Sequence, residues 1–215
     1  MCEELQHKLR QMRLYALLTE KHCQKPWMET AEAILAGGAD GLQIREKDLS
    51  DRELLYRCQW LRALTKRCSV LFFVNDRADI AKVVGADGIH VGQDDLPPDK
   101  VRRIIGPDML IGMSTHSIKQ AEQAVEMPID YVAAGPVYPT KTKGYAEGGG
   151  ANLVGRISDA VDLPTVAVGG IETQNVADMV EAGASAVAVC GGLCRSSKPA
   201  AAARAFKDAF EKAGE

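Results

Sequence analysis

The residues best suited to chemistry stand at the ends of short β-rich runs. In Gly41-Leu42-Gln43-Ile44-Arg45-Glu46-Lys47-Asp48 the side chains of an extended strand alternate, so Gln43 and Arg45 share one face and Leu42 and Ile44 the other. A glutamine and an arginine inside a core are costly unless they meet a partner or an anionic ligand. Two readings of Arg45 stay open: an ion pair with a carboxylate such as Glu46 or Asp76, or a contact to a bound anion. The run Phe72-Phe73-Val74 ends in Asn75-Asp76-Arg77, where the Asn-Asp pair suits a helix N-cap or a binding site. Ile89-His90-Val91-Gly92-Gln93-Asp94-Asp95 then adds two acids. With Asp76 they could hold Mg2+, which takes a few carboxylates together with waters and substrate phosphates.

The complementary groups follow. Ile111-Gly112-Met113-Ser114-Thr115-His116-Ser117 places hydroxyls and backbone N–H groups ahead of a helix, a turn suited to an anion. His116 reads as a general acid or base, or as a solvated loop histidine. The long stretch after Gly135-Pro136-Val137-Tyr138-Pro139 carries Thr140, Lys141, Thr142 and Lys143, a set that suits phosphate contact from a functional loop. Gly169-Gly170 and Cys190-Gly191-Gly192 let backbone N–H groups approach a phosphate. Carboxylates on one side, with Arg, Lys, hydroxyls and glycine amides on the other, suit a metal-bound pyrophosphate and a separate monophosphate. No Ser-His-Asp or Cys-His arrangement for a protein nucleophile appears.

These residues need elements that bring them to one place. Eight strand candidates alternate with eight helical segments: Leu14–Leu18, Gly41–Arg45, Val70–Asn75, Gly88–Val91, Leu110–Ser114, Tyr131–Ala134, Pro164–Val168 and Ala186–Val189. An echo, Gly-Ala-Asp-Gly or Gly-Ala-Ser-Ala, joins helix end to strand start at 38–41, 85–88 and 183–186. With no linker-like stretch, this predicts one (β/α)8 TIM barrel over 1–215, preceded by about ten residues as an extra helix or arm. In such a barrel, polar residues at strand C-termini share one mouth. Only 11 of 215 residues are aromatic, so barrel layers of branched aliphatics are expected.

Composition removes other classes. The 26 basic and 29 acidic residues, a net charge of −3, are too balanced for a dedicated nucleic-acid or membrane-surface protein. No apolar run approaches the ~18 residues of a spanning helix, and the N-terminus has no basic region followed by an apolar one. Six scattered cysteines without a CxxC pair form neither a disulfide framework nor a zinc pattern, so a reduced, cytoplasmic protein is expected. Homo-oligomerisation stays open.

In order along residues 12–207, the chain resembles thiamine phosphate synthase. The resemblance rests on Gln43-Ile44-Arg45-Glu46-Lys47-Asp48, Val74-Asn75-Asp76-Arg77, His90-Val91-Gly92-Gln93-Asp94-Asp95 and Gly135 to Lys143; Val168-Gly169-Gly170-Ile171 is shared more widely. It implies condensation of 4-amino-2-methyl-5-(diphosphooxymethyl)pyrimidine with thiazole phosphate, releasing pyrophosphate, by Mg2+-assisted dissociative substitution. It also implies roles. Gln43, Ile44, Arg45, Glu46, Lys47, Asn75, Ser114 and Lys143 meet the pyrimidine diphosphate, with Arg45, Lys47, Ser114 and Lys143 catalytic. Asp76 and Asp95 bind Mg2+. Thr140, Lys141, Thr142, Gly169, Gly170, Cys190 and Gly191 meet the thiazole phosphate. Many relatives carry a small hydroxyl residue where Gly191 stands, which removes one side-chain donor. Two other readings are a thiazole tautomerase-like enzyme using His116 and a non-catalytic sensor of thiazole or thiamine phosphate. The partners implied are small molecules, not nucleic acid or membrane.

Overall fold

A computed structural model describes residues 2–139 and 147–215. Eight parallel strands close in chain order into a barrel: β1 (Leu14–Leu18), β2 (Gly41–Ile44), β3 (Leu71–Asn75), β4 (Gly88–Val91), β5 (Leu110–Thr115), β6 (Tyr131–Ala134), β7 (Thr165–Val168) and β8 (Ala186–Val189). The ring is shut by β1 against β8, with Leu14 opposite Val187. Every expected strand is present, with its ends displaced by a residue at most. Helix α1 (Cys2–Gln11) precedes the barrel, and α2 (Trp27–Ala36), α3 (Asp51–Cys68), α4 (Ala78–Val84), α5 (Pro98–Ile105), α6 (Ile118–Ala124), α7 (Gly150–Ala160) and α8 (Val176–Glu181) wrap it. A single turn, α9 (Gly191–Cys194), and the long α10 (Pro199–Ala213) complete the ring.

Strand alternation divides the core in two. One face of each strand packs outward on the helices, through Leu14, Leu42, Ile44, Phe72, Val74, Ile89 and their like. The other face fills the barrel with Tyr15, Leu71, Phe73, Leu110, Tyr131, Ala133, Val166, Ala186 and Ala188. Leu5 and Leu9 of α1, and Met12 just after it, pack into this inner cluster.

The interior departs from the expected aliphatic layers. Tyr15, Phe73 and Tyr131 meet there with ring centroids 5.1 to 6.2 Å apart, tilted or edge to face. Glycines on neighbouring strands leave the room: a Cβ on Gly88 would lie 2.5 Å from the Phe73 ring, and one on Gly112 only 1.9 Å from Cζ of Tyr131. Branched aliphatics dominate the layer between sheet and helices instead.

The sequence echo has a structural task. The Asp87 carboxylate accepts from Phe72 N–H of β3 and takes a two-pronged Arg62 guanidinium at 2.7 and 2.9 Å. Asp40 does the same for β1, accepting from Arg13 and Leu14 N–H and from Lys207, and Asp130 for β5, accepting from Ile111 N–H and Arg102. Each aspartate thereby ties the start of an odd-numbered strand to the even-numbered strand that follows, and neutralises its own charge with a helix cation. The last unit has Ser185 in that place, donating to the Thr165 carbonyl.

Candidate active site

Strand geometry delivers the polar residues to the barrel's C-terminal mouth. Gln43 points inward and is 2% exposed, its Nε2 donating to Tyr15 Oη at 2.7 Å. Arg45, one residue beyond β2, lines the mouth cavity. The two carboxylates that would make it a structural ion pair are engaged elsewhere: Asp76 with Lys47 at 3.0 Å, and Glu46 near Arg57 of α3. Neither of those ion pairs involves Arg45, and the cavity that it lines is also lined by Glu172.

Glu46 sits apart from the mouth's charges. Its carboxylate accepts from Glu20 N–H, and burial lifts its pKa above the usual carboxylate range despite that bond and Arg57. Ile44 is buried in the outer layer against the helices, so only its backbone can meet a ligand.

The acidic side forms at the ends of β3 and β4. Asp76 is not a helix cap: Arg77 occupies the N-cap position of α4, and no side chain caps it. Asp76 instead adopts a left-handed backbone (φ 61°), which for L-residues only short polar side chains and glycine adopt readily. That conformation brings its carboxyl against Asp95, whose Oδ2 accepts from Gly92 N–H at 2.7 Å. Burial, and then the Asp95 carboxylate, raise the Asp76 pKa. On Asp95 the upward push of burial is outweighed by hydrogen bonds from Asp76 and Gly92, and its pKa falls. Two carboxylates in contact, flanked by Lys47, fit a small divalent cation. Among the described residues no group of three or more His, Cys, Asp or Glu gathers, so the remaining ligands would be water and substrate oxygens. Asn75 ends β3 half-buried beside His90 of β4, and Asp94 is exposed.

The opposite side is a cavity of about 360 Å3. Arg45, Ser114, His116, Gly169, Gly170, Cys190 and Gly191 line it, joined by Glu172 and Arg195, which sequence reasoning missed. Gly169 and Gly170 both have positive φ, and a Cβ on Gly170 would meet Tyr138 Cβ at 2.7 Å and the Pro139 carbonyl at 2.8 Å. Only glycine lets the segments after β6 and β7 approach so closely. His116 Nδ1 lies 2.5 Å from the Gly135 carbonyl, a contact that holds its ring at the rim. Near β8, the Cys194 thiol donates to the Leu17 carbonyl, and its proximity to Cys190 and Cys23 lowers the pKa of those two thiols and raises its own. Thr140, Lys141, Thr142 and Lys143 lie outside the described residues.

Glu172 and Arg195 carried a weak signal. Both follow a strand-terminal glycine pair, but Arg195 reaches the cavity only because Gly191–Cys194 coil into the single turn of α9.

A closed (β/α)8 barrel with paired carboxylates and a lysine at one side of its mouth, and an arginine- and glycine-lined cavity at the other, defines a phosphate-handling barrel enzyme. Comparison with known proteins gives the family. Residues 14–193 match the family model for thiamine monophosphate synthase. The thiamine-phosphate synthase of Shouchella clausii is 36% identical over 209 residues, 96% of this chain and all of that protein. That of Moorella thermoacetica is 39% identical over 203 residues, 93% of this chain and 96% of the relative. The thiamine phosphate pyrophosphorylase structure from Pyrococcus furiosus superposes with a TM-score of 0.88 at 31% identity, covering 95% of this chain and 98% of that one. The chain belongs to the thiamine monophosphate synthase family, and as an enzyme of thiamine biosynthesis it catalyses the condensation that forms thiamine phosphate. Among the described residues no helix is long and apolar enough to cross a membrane.

Proposed function

We propose that the mouth joins 4-amino-2-methyl-5-(diphosphooxymethyl)pyrimidine to thiazole phosphate by a dissociative, Mg2+-assisted substitution. The observation that carries this reading is the division of the mouth into the Asp76–Asp95–Lys47 side and the cavity wall formed by Gly169, Gly170, Gly191 and Arg195, with Arg45 between them. Such a division serves a diphosphate that leaves and a monophosphate that anchors.

The C–O bond to the diphosphate breaks with its electron pair leaving on oxygen, and the pyrimidine amino group spreads the positive charge left at the methylene. The thiazole nitrogen then donates its lone pair to that carbon. No protein nucleophile is needed; positioning and charge neutralisation are the protein's tasks. Arg45 and Lys47, with Lys143, bind the diphosphate oxygens and offset charge as it grows. Gln43, Asn75 and Ser114 orient the pyrimidine, and the backbone of Ile44 and Glu46 completes the strand-end contacts. Asp76 and Asp95 would hold Mg2+, which supplies further neutralisation of the leaving group when bound. Thr140, Lys141 and Thr142, with the backbone of Gly169, Gly170, Cys190 and Gly191, hold the thiazole phosphate. A cytoplasmic setting fits the free thiols of Cys23, Cys58, Cys68, Cys190 and Cys194.

Incubation with both substrates and Mg2+ tests the reading. Thiamine phosphate and pyrophosphate are expected in equal amounts, and chelation of the metal should stop their formation. Conversion of the thiazole alone, or binding without turnover, would overturn it.

Arg195, on the cavity wall beside Gly191, adds a positive charge where the side-chain hydroxyl of many relatives is missing. Arg195→Ala is expected to raise KM for thiazole phosphate about tenfold, the scale of one hydrogen bond to a charged group, with kcat little changed. An unchanged KM would remove Arg195 from the site.

A further inference from the structure

Five polar residues from five strands form an unbroken chain across the barrel interior. Gln43 Nε2 donates to Tyr15 Oη at 2.7 Å, and Tyr15 Oη lies 3.2 Å from Tyr131 Oη. Tyr131 Oη lies 2.9 Å from His90 Nδ1, and His90 Nε2 lies 2.9 Å from Ser114 Oγ. Each tyrosine is 1% exposed or less, and the His90 ring stacks on that of Tyr131. We propose that Tyr15, Tyr131 and His90 are positioning residues that fix which way the Ser114 hydroxyl points at the mouth. The proposal rests on the reading that Gln43 and Ser114 hold the pyrimidine diphosphate.

The sense of the chain follows from proton counting. A hydroxyl has one proton and a neutral imidazole carries one on either nitrogen. The Gln43 N–H occupies an acceptor site of Tyr15, whose own proton is directed to Tyr131. The Tyr131 proton is then directed to His90 Nδ1, which places the imidazole proton on Nε2, facing Ser114. Ser114 Oγ accepts that proton's hydrogen bond, and its own O–H is left to donate into the cavity that it lines. Reversal of any one link would leave two protons or two lone pairs face to face in an apolar interior. Burial raises both phenol pKa values, so these two links stay neutral hydroxyls.

The space around the chain is shaped for it. Phe73 packs against both tyrosine rings, and the absence of a side chain at Gly112 admits the Tyr131 ring. Tyr15 and Tyr131 touch neither proposed substrate; they act through Gln43, His90 and Ser114.

Tyr131→Phe removes the middle hydroxyl and keeps the ring. It is expected to lower kcat about tenfold or more, with KM for both substrates within about twofold, because the ordered Ser114 donor is lost while the contact surface is kept. In the free protein, the 15N shifts of His90 are expected to move from one tautomer, protonated on Nε2, to a mixture. Tyr15→Phe should act in the same direction, and the double variant should be no worse than the more affected single one, since both break one chain. Should Tyr131→Phe not fold, Tyr15→Phe carries the same two readouts. An unchanged kcat, an unchanged His90 tautomer or fully additive losses would overturn the proposal. The tautomer is read without substrate, so failure of the substrate assignment, seen as unchanged kcat and KM in Ser114→Ala, is distinguishable from failure of the chain.

Discussion

Asp76→Asn is expected to lower turnover by a factor of about 10^3 at saturating substrates, the scale seen when a fixed group that stabilises transition-state charge is removed. It should also shift the Mg2+ titration to higher concentration. Asn is the informative replacement because it fits the left-handed backbone at φ 61° as readily as Asp does. Ala would add backbone strain of roughly 1 kcal/mol and confuse lost chemistry with lost stability. The substitution also releases Lys47 from its 3.0 Å ion pair and removes the carboxyl whose hydrogen bond lowers the Asp95 pKa. The melting temperature should therefore stay near that of the wild type while activity collapses. An Asp76→Asn protein with an unaltered Mg2+ titration would remove Asp76 from the metal site.

The second large effect lies in the barrel interior. Gly112→Ala places a methyl group 1.9 Å from Tyr131 Cζ and 2.3 Å from its hydroxyl, in a ring that is fully buried. Neither atom can yield without moving the ring, so the cost is at the upper end of overpacking, about 3 kcal/mol. At this chain length that corresponds to a fall in Tm of roughly 10 °C. Turnover should fall as well, because the displaced hydroxyl leaves His90. Gly155→Ala in α7 is the matched control. Its Cβ would meet nothing nearer than the Ala182 carbonyl at 3.7 Å, and it should stabilise by about 0.5 kcal/mol or more. Thermal melts of the two variants separate tight packing from any general effect of adding a methyl group; equal melting temperatures would refute the packing account.

Much of the frame is legible in the residues. Each strand is short and mostly apolar, and three of them (β2, β4 and β8) are opened by the glycine-containing echo, so their positions survive even crude pattern reading. The placement of Gln43, Arg45 and Ser114 is legible for the same reason: polar residues at inward positions near strand ends have only the mouth to face. The exclusion of Asp76 from the helix cap is not legible, because it depends on one φ angle. Tyr15 and Tyr131 read as ordinary core aromatics, since nothing local to either marks a hydrogen-bond partner more than a hundred residues away. Arg195 escaped because a four-residue turn with two glycines has no helical periodicity to detect. The expected aliphatic interior failed on a pairing of small with large across strands, Gly112 beside Tyr131 and Gly88 beside Phe73, which strand register creates and composition does not reveal.

The pairing of Leu14 with Val187 has a bearing on how the chain comes into being. On the ribosome, β1 emerges more than 160 residues before its final neighbour β8, as the separation of Leu14 and Val187 shows. Until β8 follows, the nascent sheet has two unpaired edges, and such edges recruit other chains. The aspartates that tie β1 to β2, β3 to β4 and β5 to β6 make their bonds over far shorter stretches, 15 to 27 residues apart in the strand-to-aspartate contacts. They allow strand pairs to be held in register before the ring is shut. Until then the edges of β1 and of the growing sheet are the points at which a chaperone that shields open strands would act.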